Sequence, residues 1–275
     1  MTKFWKYQGT GNDFIIVDNR DGHSELNSKY AKRLCDRHFG IGADGIIHIV
    51  KSKHADVGMR SMNSDGTVAE TCGTGIRCVA KHAYDTGLVK GEEFSIEALS
   101  GVRRVRITPE NGKAKLIETN MGAPILECAD IPMAGEGRFI NLPIEADGMT
   151  VLGNGISMGS PHLVIFNDLT ENERSHLGPK LECSHLFPKR TNVGFATVSE
   201  GKMFLRVYER GAGWTLSCGT GACAAAVAGA LNGLVPYDEP IDIKLPGGWL
   251  TVTVAKGASS VVTTGPAMLV YEGTI

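Results

Sequence analysis

Two stretches of this 275-residue sequence resemble one another: TCGTGIRCVA at Thr71–Ala80 and SCGTGACAAA at Ser217–Ala226. Their cysteines, Cys72 and Cys218, are 146 residues apart, and the same offset aligns the Gly-Leu-Val tripeptide that follows each stretch. A chance match of one short motif would not keep its register through the flanking sequence. The sequence therefore predicts two related halves, each built around one copy of the motif.

The flanks of the two stretches extend this similarity. At the same offset Asn63 aligns with Glu209, and Gly101 with Gly247. Near the start of each half, the sequence Gly-Thr-Gly-Asn that ends at Asn12 resembles the Gly-Ser-Pro-His that ends at His162. The alternative interpretation is that both halves contain an ordinary strand–turn–helix unit without common ancestry.

The coarse secondary structure predicted for the two halves is the same. Each has a short β-branched run of strand length, an Ala-containing helix after Gly-Thr-Gly, a glycine at the expected helix end, and alternating segments beyond it. These elements are Phe14–Val17, Ile76–Asp85, Gly87 and Phe94–Ala98 in the first half, and Leu163–Phe166, Ala222–Asn232, Gly233, Ile241–Leu245 and Leu250–Val254 in the second. We expect an α+β fold of two similar halves, each a mostly antiparallel curved sheet wrapped around a central helix, with the active site in the cleft between them.

The predicted boundaries follow from the repeat. The first half covers residues 1–119 and is joined by a C-terminal strand at 264–275, while the second half covers 120–263. The segment Met133–Gly153, rich in glycine and acidic residues, is interpreted as a connector between the halves.

Composition and charge exclude several classes of protein. Hydrophobic residues make up 42% and charged residues 21% of the chain, and the net charge is -2 with no long run of one sign. These values are typical of a globular protein and do not indicate a nucleic-acid or membrane partner. The first residues show no signal-peptide pattern and no apolar stretch is long enough to span a bilayer, so we expect a cytoplasmic protein.

Seven cysteines, an odd number, argue against a disulfide framework and favour reduced thiols. Five of them are expected to be buried core residues: Cys35, Cys78, Cys128, Cys183 and Cys223. Three histidines without partner spacing are expected at the surface: His48, His54 and His82.

The two remaining thiols indicate a chemistry. Cys72 and Cys218 each precede a predicted helix, where free N–H groups and the helix dipole favour a thiolate, and the following glycines let the backbone bind an anion such as a carboxylate. Two thiols on opposite faces of one carbon would suit inversion of a stereocentre beside a carboxylate. We find no cofactor-type lysine motif and no metal-spaced histidine cluster, so we expect neither cofactor nor metal.

The order of six spaced motifs resembles the diaminopimelate epimerase family over essentially the entire chain. The motifs are Gly11-Asn12-Asp13-Phe14, Gly40-Ile41-Gly42-Ala43-Asp44-Gly45, Asn63-Ser64-Asp65-Gly66-Thr67, Gly159-Ser160-Pro161-His162, Thr191-Asn192-Val193 and Glu209-Arg210-Gly211-Ala212-Gly213, together with the two Cys-Gly-Thr-Gly segments.

The resemblance implies epimerisation of L,L-diaminopimelate to the meso form, a step towards lysine and cell-wall precursors. It implies that Cys72 and Cys218 are the acid–base pair, assisted by His162 and Glu209. Substrate contacts are implied for Asn12, Asn63, Gly73, Thr74, Ser160, Asn192, Glu209, Arg210, Gly219 and Thr220. In this assignment the amides of the Gly-Thr pairs bind the reacting carboxylate, and the asparagines and Arg210 bind the remaining amino and carboxylate groups.

Two residues depart from the family pattern, which usually has asparagine where this chain has Thr74 and Ser160. A related racemase of another amino acid, such as histidine or another basic one, would keep the cysteines and alter such positions, and this alternative stays open.

Other classes make different predictions. A binding protein with two lobes would tolerate serine at both cysteines, a redox protein would join Cys72 and Cys218 in a reversible disulfide, and a metal protein lacks the ligand spacing. From the residues alone, His162 could be a turn histidine, Arg210 a surface ion-pair residue and the Asp44 segment a plain turn. The expected partner is a small-molecule amino acid, with no nucleic acid and no membrane, and the sequence does not decide whether the chain is a homodimer.

Overall fold

The computed structural model describes residues 1–69 and 72–275. Thr71, the first residue of the repeated segment, lies outside the described residues. The chain folds into two compact units, the first formed by Met1–Asn120 with Thr264–Ile275 and the second by Met121–Thr263.

Helices are interspersed among the more numerous strands of both units. The helices are α1 (Ser28–Cys35), α2 (Gly73–Asp85), α3 (Glu171–Glu182) and α4 (Gly219–Leu231). The strands are β1 (Lys3–Gly9), β2 (Asn12–Asp18), β3 (Gly45–Val50), β4 (Val57–Asn63), β5 (Glu93–Ala98), β6 (Gly101–Glu110), β7 (Lys113–Gly122), β8 (Leu142–Ala146), β9 (Met149–Ser157), β10 (Pro161–Ile165), β11 (Asn192–Ser199), β12 (Lys202–Glu209), β13 (Gly213–Trp214), β14 (Pro240–Leu245), β15 (Gly248–Val254), β16 (Val261–Gly265) and β17 (Met268–Thr274).

The two units have the same strand pairing. In the first, β1–β2 is antiparallel, β2–β3 parallel, β3–β4 antiparallel, β4–β5 parallel and β5–β6 antiparallel. In the second, β9, β10, β11, β12, β14 and β15 follow the same sequence of antiparallel and parallel pairs. The short helices α1 and α3 lie at equivalent points, before β3 and β11 respectively. The repeat found in the sequence is thus a repeat of topology.

The strands of each unit pack around one helix. In the first unit α2 contacts β1, β2 and β6, and in the second α4 contacts the equivalent strands β9, β10 and β15. Every residue of α4 from Gly219 to Ala230 is buried, as its all-round small apolar sequence predicts. Small side chains are needed there, since a Cβ on Gly229 would meet Met203 and Val235 at 3.1 Å. The predicted fold class is confirmed.

The predicted end of each central helix is also confirmed. Gly87 and Gly233 have φ angles of 73° and 70°, the left-handed conformation that follows many helices and that glycine adopts without strain. The predicted starts were wrong by three residues, because α2 begins at Gly73 and α4 at Gly219, directly after the cysteines. The thiol-bearing residue is therefore the N-cap of each helix.

Three expectations from the sequence are corrected. His48 and His82 are buried, each about 1% exposed, whereas Cys183 is exposed. The segment from Met133 to Gly153 is not a connector, because it contains β8 and the start of β9 and lies inside the second unit.

No helix of the described residues is long and apolar enough to cross a bilayer.

Burial of histidines makes the fold sensitive to acid. Loss of hydration lowers the pKa of His48 and of His82 to about 4, and that of His162 to about 3. In the unfolded chain the histidines have a pKa of about 6.5. Below that pH the unfolded state therefore binds more protons than the folded state, and the free energy of unfolding decreases as the pH is lowered.

We expect the free energy of unfolding, measured with urea, to fall between about pH 7 and pH 5 by roughly 2 kcal/mol per buried imidazole. The change His82→Gln should reduce this fall, while His54→Gln, at an exposed position, should not. An unchanged pH slope in the His82 variant would contradict this assignment.

Candidate active site

In the first unit, the Cys72 thiol caps the start of α2. Its backbone is extended, with φ −134° and ψ 100°, and its sulfur accepts a hydrogen bond from the Gly75 N–H at 3.1 Å. The side chain is half-buried, and the sulfur lies 3.9 Å from the Asn12 Oδ1. A Cβ on Gly75 would lie 3.3 Å from this sulfur and 3.0 Å from Ile47, so glycine is needed for the close approach.

In the second unit, Cys218 occupies the same position at the start of α4. Its φ of −129° and ψ of 106° nearly match those of Cys72. Its sulfur lies 3.6 Å from the Thr220 Oγ1, and a Cβ on Gly221 would come within 3.2 Å of the sulfur. The two Cys-Gly-Thr-Gly segments therefore build the same local arrangement of a thiol at a helix N-terminus.

The environment of Cys218 favours its protonated form. Burial and the nearby Glu209 carboxylate raise the pKa of this thiol well above its usual value, opposed by hydrogen bonds with Thr220 and Gly221. Glu209 ends β12, and its Oε1 accepts a hydrogen bond from the Thr215 hydroxyl at 2.5 Å. A thiol that burial and a carboxylate keep protonated is available as a general acid, able to donate its proton to a strongly basic carbanion.

His162 joins the Cys218 arrangement through a hydroxyl that the sequence analysis did not consider. The His162 Nε2 lies 3.1 Å from the Thr220 Oγ1 and 3.2 Å from the Ser160 Oγ. Burial, and to a lesser degree the charge of Arg210, lowers the pKa of His162 to about 3, so the imidazole is neutral at physiological pH. Thr220 thus lies between the imidazole and the thiol, while its amide was the only group expected to take part.

Asn12 and Asn63 occupy different surroundings in the first unit. Asn12 starts β2, next to Cys72, and its Nδ2 donates to Asp44 at 2.8 Å. Asn63 ends β4, is exposed, and its Nδ2 donates to the Thr67 hydroxyl at 2.9 Å within a tight turn. Asn12 is therefore brought to a candidate thiol, while Asn63 is presented to solvent by the turn that follows its strand.

Gly73 and Thr74 form the first turn of α2, as Gly219 and Thr220 do in α4. The Thr74 side chain is 1% exposed, and its hydroxyl accepts a hydrogen bond from Arg77 at 3.2 Å. Its side chain thus faces the interior of the unit. The N–H groups of these first turns have no partner within their own helices and are suited to binding an anion.

Asn192 and Arg210 are joined in the second unit. The Asn192 Oδ1 accepts a hydrogen bond from the Arg210 backbone N–H at 2.9 Å, and its Nδ2 donates to the Pro161 carbonyl at 3.1 Å. The Arg210 guanidinium is exposed and donates to the Lys189 carbonyl at 3.3 Å. Asn192 therefore holds the loop that carries Glu209 and Arg210, in addition to any contact with substrate.

A further anchor of this loop, Glu182, was missed by sequence reasoning. This carboxylate, 1% exposed at the end of α3, accepts a hydrogen bond from the Gly211 N–H at 3.1 Å and forms an ion pair with Arg190. Burial opposes its ionisation, but hydrogen bonds from Cys183, Arg190 and Gly211 lower the pKa of the carboxyl. The one signal in the sequence was an acidic residue at the C-terminal end of a helix, where the helix dipole disfavours a negative charge and a specific partner is therefore expected.

We expect Glu182→Ala to raise KM by about tenfold with a smaller change in kcat, because the loop that carries Arg210 loses a charged hydrogen-bond acceptor. Glu182→Gln keeps an acceptor for Gly211 and should stay within about threefold of the wild type. Glu173→Ala is the matched control on the same helix, since it removes the capping box of α3. Steady-state kinetics that show equal KM increases for both alanine variants would contradict this role.

No group of three potential metal ligands among histidine, cysteine and acidic residues occurs in the described ranges. The arrangement that does occur consists of two thiols, each on the N-cap residue of a helix, with a glycine beside the sulfur and neighbouring hydrogen-bonding groups.

Several solved structures have the same fold, and two of them are named as a racemase and an epimerase. A probable proline racemase from Agrobacterium radiobacter K84 has a TM-score of 0.74 at 13% identity, covering 100% of this chain and 93% of that one. A hydroxyproline epimerase from Agrobacterium vitis also has a TM-score of 0.74, at 12% identity, covering 100% of this chain and 90% of that one. At such identities these likenesses show the fold alone, an α+β fold of two similar halves.

Sequence comparison is more specific. The family model described as diaminopimelate epimerase matches residues 4–127 and 155–270. The diaminopimelate epimerase of Moorella thermoacetica is 44% identical over 275 residues, with 98% of each chain covered. That of Acetivibrio thermocellus is 42% identical, covering 99% of this chain and 98% of the relative. The chain belongs to the diaminopimelate epimerase family.

Proposed function

We propose that this protein converts L,L-diaminopimelate into meso-diaminopimelate, with Cys72 and Cys218 as the two acid–base groups. Membership of the diaminopimelate epimerase family over nearly the full chain supports the substrate. The observation that carries the mechanism is the matching placement of the two thiols, each the N-cap of the central helix of its unit. The product is a precursor of lysine and of cell-wall material.

Inversion needs one group to remove the α-proton and another to deliver a proton to the opposite face. In the proposed reaction one sulfur, as thiolate, takes the proton from the α-carbon, and the electron pair passes into the carboxylate as an enediolate. The second sulfur, as thiol, then gives its proton to the same carbon, which leaves a thiolate there. The protein takes one proton and gives one in each turnover, so it gains or loses no net proton. In the reverse reaction the two sulfurs exchange roles.

The difficulty of this reaction lies in the weak acidity of an α-hydrogen. Every pKa unit of mismatch between the thiol and that hydrogen adds about 1.4 kcal/mol to the barrier. Fixed donors can lower this barrier by stabilising the enediolate oxygens. The N–H groups of Gly73 and Thr74, and of Gly219 and Thr220, supply such donors in this proposal.

The two thiols start from different protonation states. The neighbouring Glu209 and deep burial keep Cys218 a thiol, so it acts as the acid in the first turnover of the resting protein. Cys72 receives a hydrogen bond from the Gly75 N–H, an interaction that stabilises a thiolate. Cys72 is therefore the base that we assign to the resting protein.

The departures at Thr74 and Ser160 do not favour a different amino acid. The Thr74 hydroxyl is turned to Arg77 inside the first unit, and the Ser160 hydroxyl lies beside the His162 Nε2. Both hydroxyls thus have protein partners, which leaves the far end of the substrate to Arg210 and the asparagines.

The experiment that tests this function incubates purified, reduced protein with L,L-diaminopimelate and, separately, with L-histidine, L-lysine and L-proline. Chiral chromatography then follows the products. We expect meso-diaminopimelate and no inversion of the other amino acids. Inversion of histidine or lysine in place of diaminopimelate would assign the protein to a related racemase, and no inversion at all would favour an amino-acid-binding protein.

A further inference from the structure

A network of four charged side chains lies next to Asn12 in the first unit. The Asp13 carboxylate forms ion pairs with Lys6 and Arg37, both at 2.8 Å. Arg37 also reaches the Asp44 Oδ1 at 2.8 Å, so that one guanidinium bridges two carboxylates. Asp13 and Asp44 belong to two of the six motifs noted in the sequence, but neither has a role in the proposed function.

The network is balanced and well fixed. Two cations face two carboxylates, and Lys6, which is 5% exposed, also donates to the Gly42 carbonyl. Burial would raise the pKa of Asp13, but hydrogen bonds from Arg37 and Lys6 outweigh it and lower the pKa to about 2. The two aspartates also hold each other, since the Asp13 N–H donates to the Asp44 Oδ2 at 3.1 Å and the Asp44 N–H to the Asp13 Oδ1 at 2.9 Å.

One consequence concerns the side-chain amide of Asn12, which has a donor end and an acceptor end. The Asn12 Nδ2 donates to the Asp44 Oδ2 at 2.8 Å. An ionised carboxylate only accepts hydrogen bonds, so the NH₂ end of Asn12 must point to Asp44. The opposite end, Oδ1, is then the end that faces the Cys72 sulfur at 3.9 Å.

We propose that Asp44 is a positioning residue that fixes the amide of Asn12 with its carbonyl oxygen towards Cys72. This inference rests on the proposed function only in assigning proton transfer to Cys72. With the carbonyl in this position, Asn12 can accept the S–H hydrogen and so stabilises the thiol, while the Gly75 N–H stabilises the thiolate. A reversible acid–base group needs both forms to be accessible, and the opposed contacts provide this.

Asp44 also links the two asparagines of this unit. Its backbone carbonyl accepts a hydrogen bond from the Ser64 N–H at 2.9 Å, directly after Asn63. The same residue therefore orients Asn12 through its side chain and fixes the turn of Asn63 through its main chain. Its backbone contact does not depend on the side chain, so substitutions of the carboxylate test the Asn12 contact separately.

The test replaces the acceptor-only carboxylate by a group that can also donate. In Asp44→Asn the Asn12 amide is free to turn its NH₂ towards the sulfur and stabilise the thiolate. We expect the pH midpoint of Cys72 alkylation by iodoacetamide, followed residue by residue with mass spectrometry, to fall by about one unit. The other charged and titratable groups near this site are unchanged in the variant: Lys6, Asp13, Arg37, and Arg77 and Cys78 on α2.

Loss of the negative charge alone would also lower the midpoint, and a double-mutant cycle separates the two effects. In an Asn12→Ala background no amide remains to turn, so Asp44→Asn should then shift the midpoint by well under half of its effect in the wild type. Equal shifts in both backgrounds, or no shift in either, would overturn the proposal. Asp56→Asn is the matched control, because this carboxylate binds Ser95 elsewhere in the unit and should leave the midpoint unchanged.

Asp44→Ser, whose hydroxyl both donates and accepts, provides the same test should Asp44→Asn fail to fold. Alkylation is measured without substrate, so its outcome is independent of the reaction that the protein catalyses. Failure of the proposed function would show instead as a Cys72→Ala variant that still epimerises diaminopimelate.

Discussion

Replacing either Cys72 or Cys218 by alanine is expected to lower the rate of epimerisation by about a thousandfold or more. In the proposed reaction each sulfur transfers a proton on one face of the α-carbon, so a variant with a single sulfur lacks either the base or the acid. Because the two act in sequence on the same molecule, the double variant should be no slower than the slower single variant. The measurement is the initial rate of meso-diaminopimelate formation in the presence of a reductant.

The matched controls are alanine variants of Cys78 and Cys223, which lie deeper in the same helices and are fully buried. Each should cost roughly 1 kcal/mol of stability and leave the rate within a few-fold of the wild type. Near-normal turnover in either catalytic variant, with folding intact, would rule out the two-base mechanism.

Replacing Arg210 by lysine is expected to raise KM by about 10- to 100-fold with a smaller loss in kcat. The planar guanidinium forms two parallel hydrogen bonds with a carboxylate, and an ammonium group does not reproduce that geometry. Since Asn192 and Glu182 hold the loop around Arg210, the loss should come from the guanidinium alone. Steady-state kinetics with L,L-diaminopimelate give both parameters.

Arg206→Lys is the control for this variant. Arg206 lies on β12, four residues before Arg210, where it forms an ion pair with Glu171 and stacks on Trp214. Its replacement should leave KM unchanged within about twofold, as expected for an exposed ion pair. If both lysine variants raised KM equally, Arg210 would have no special role in binding the substrate.

The doubled fold could be predicted from the sequence because the chain contains two copies of one motif pattern. A helix of small apolar residues after Cys-Gly-Thr-Gly is recognisable by composition, and the positive φ at Gly87 and Gly233 follows from the need to end it. The helix starts were missed since glycine and threonine have low helix propensity. A capping cysteine and the surrounding sheet determine those starts, and neither effect is visible in local propensity.

The burial of His48 could have been predicted, whereas its hydrogen bonds could not. His48 sits within the run Ile46-Ile47-His48-Ile49, and a strand that is apolar on both faces is typical of one buried on both sides. Its ring nitrogen contacts Asn19, a residue 29 positions away. Partners at such separations are set by tertiary packing and leave no periodic signal.

The same reason limits what sequence could say about the candidate site. The cysteines were recognisable because they recur within a motif, but the Thr220 hydroxyl reaches His162 across 58 residues and Glu182 reaches Gly211 across 29. From the residues alone the Asp44 segment could be a plain turn, and its contact with Asn12 across 32 residues depends on the parallel pairing of β2 with β3.

The two-base mechanism is tested most directly by the reaction, in D₂O, of L,L-diaminopimelate that carries protium at its α-carbons. The mixture is sampled during the first few per cent of conversion. Between turnovers each thiol exchanges its hydrogen with solvent, so the sulfur that delivers the new hydrogen carries deuterium. A two-base mechanism gives meso product with deuterium at the inverted carbon, alongside remaining L,L substrate that still carries protium. Meso product that retains the original protium would show that one group removes and returns the same proton, and would contradict the roles of Cys72 and Cys218.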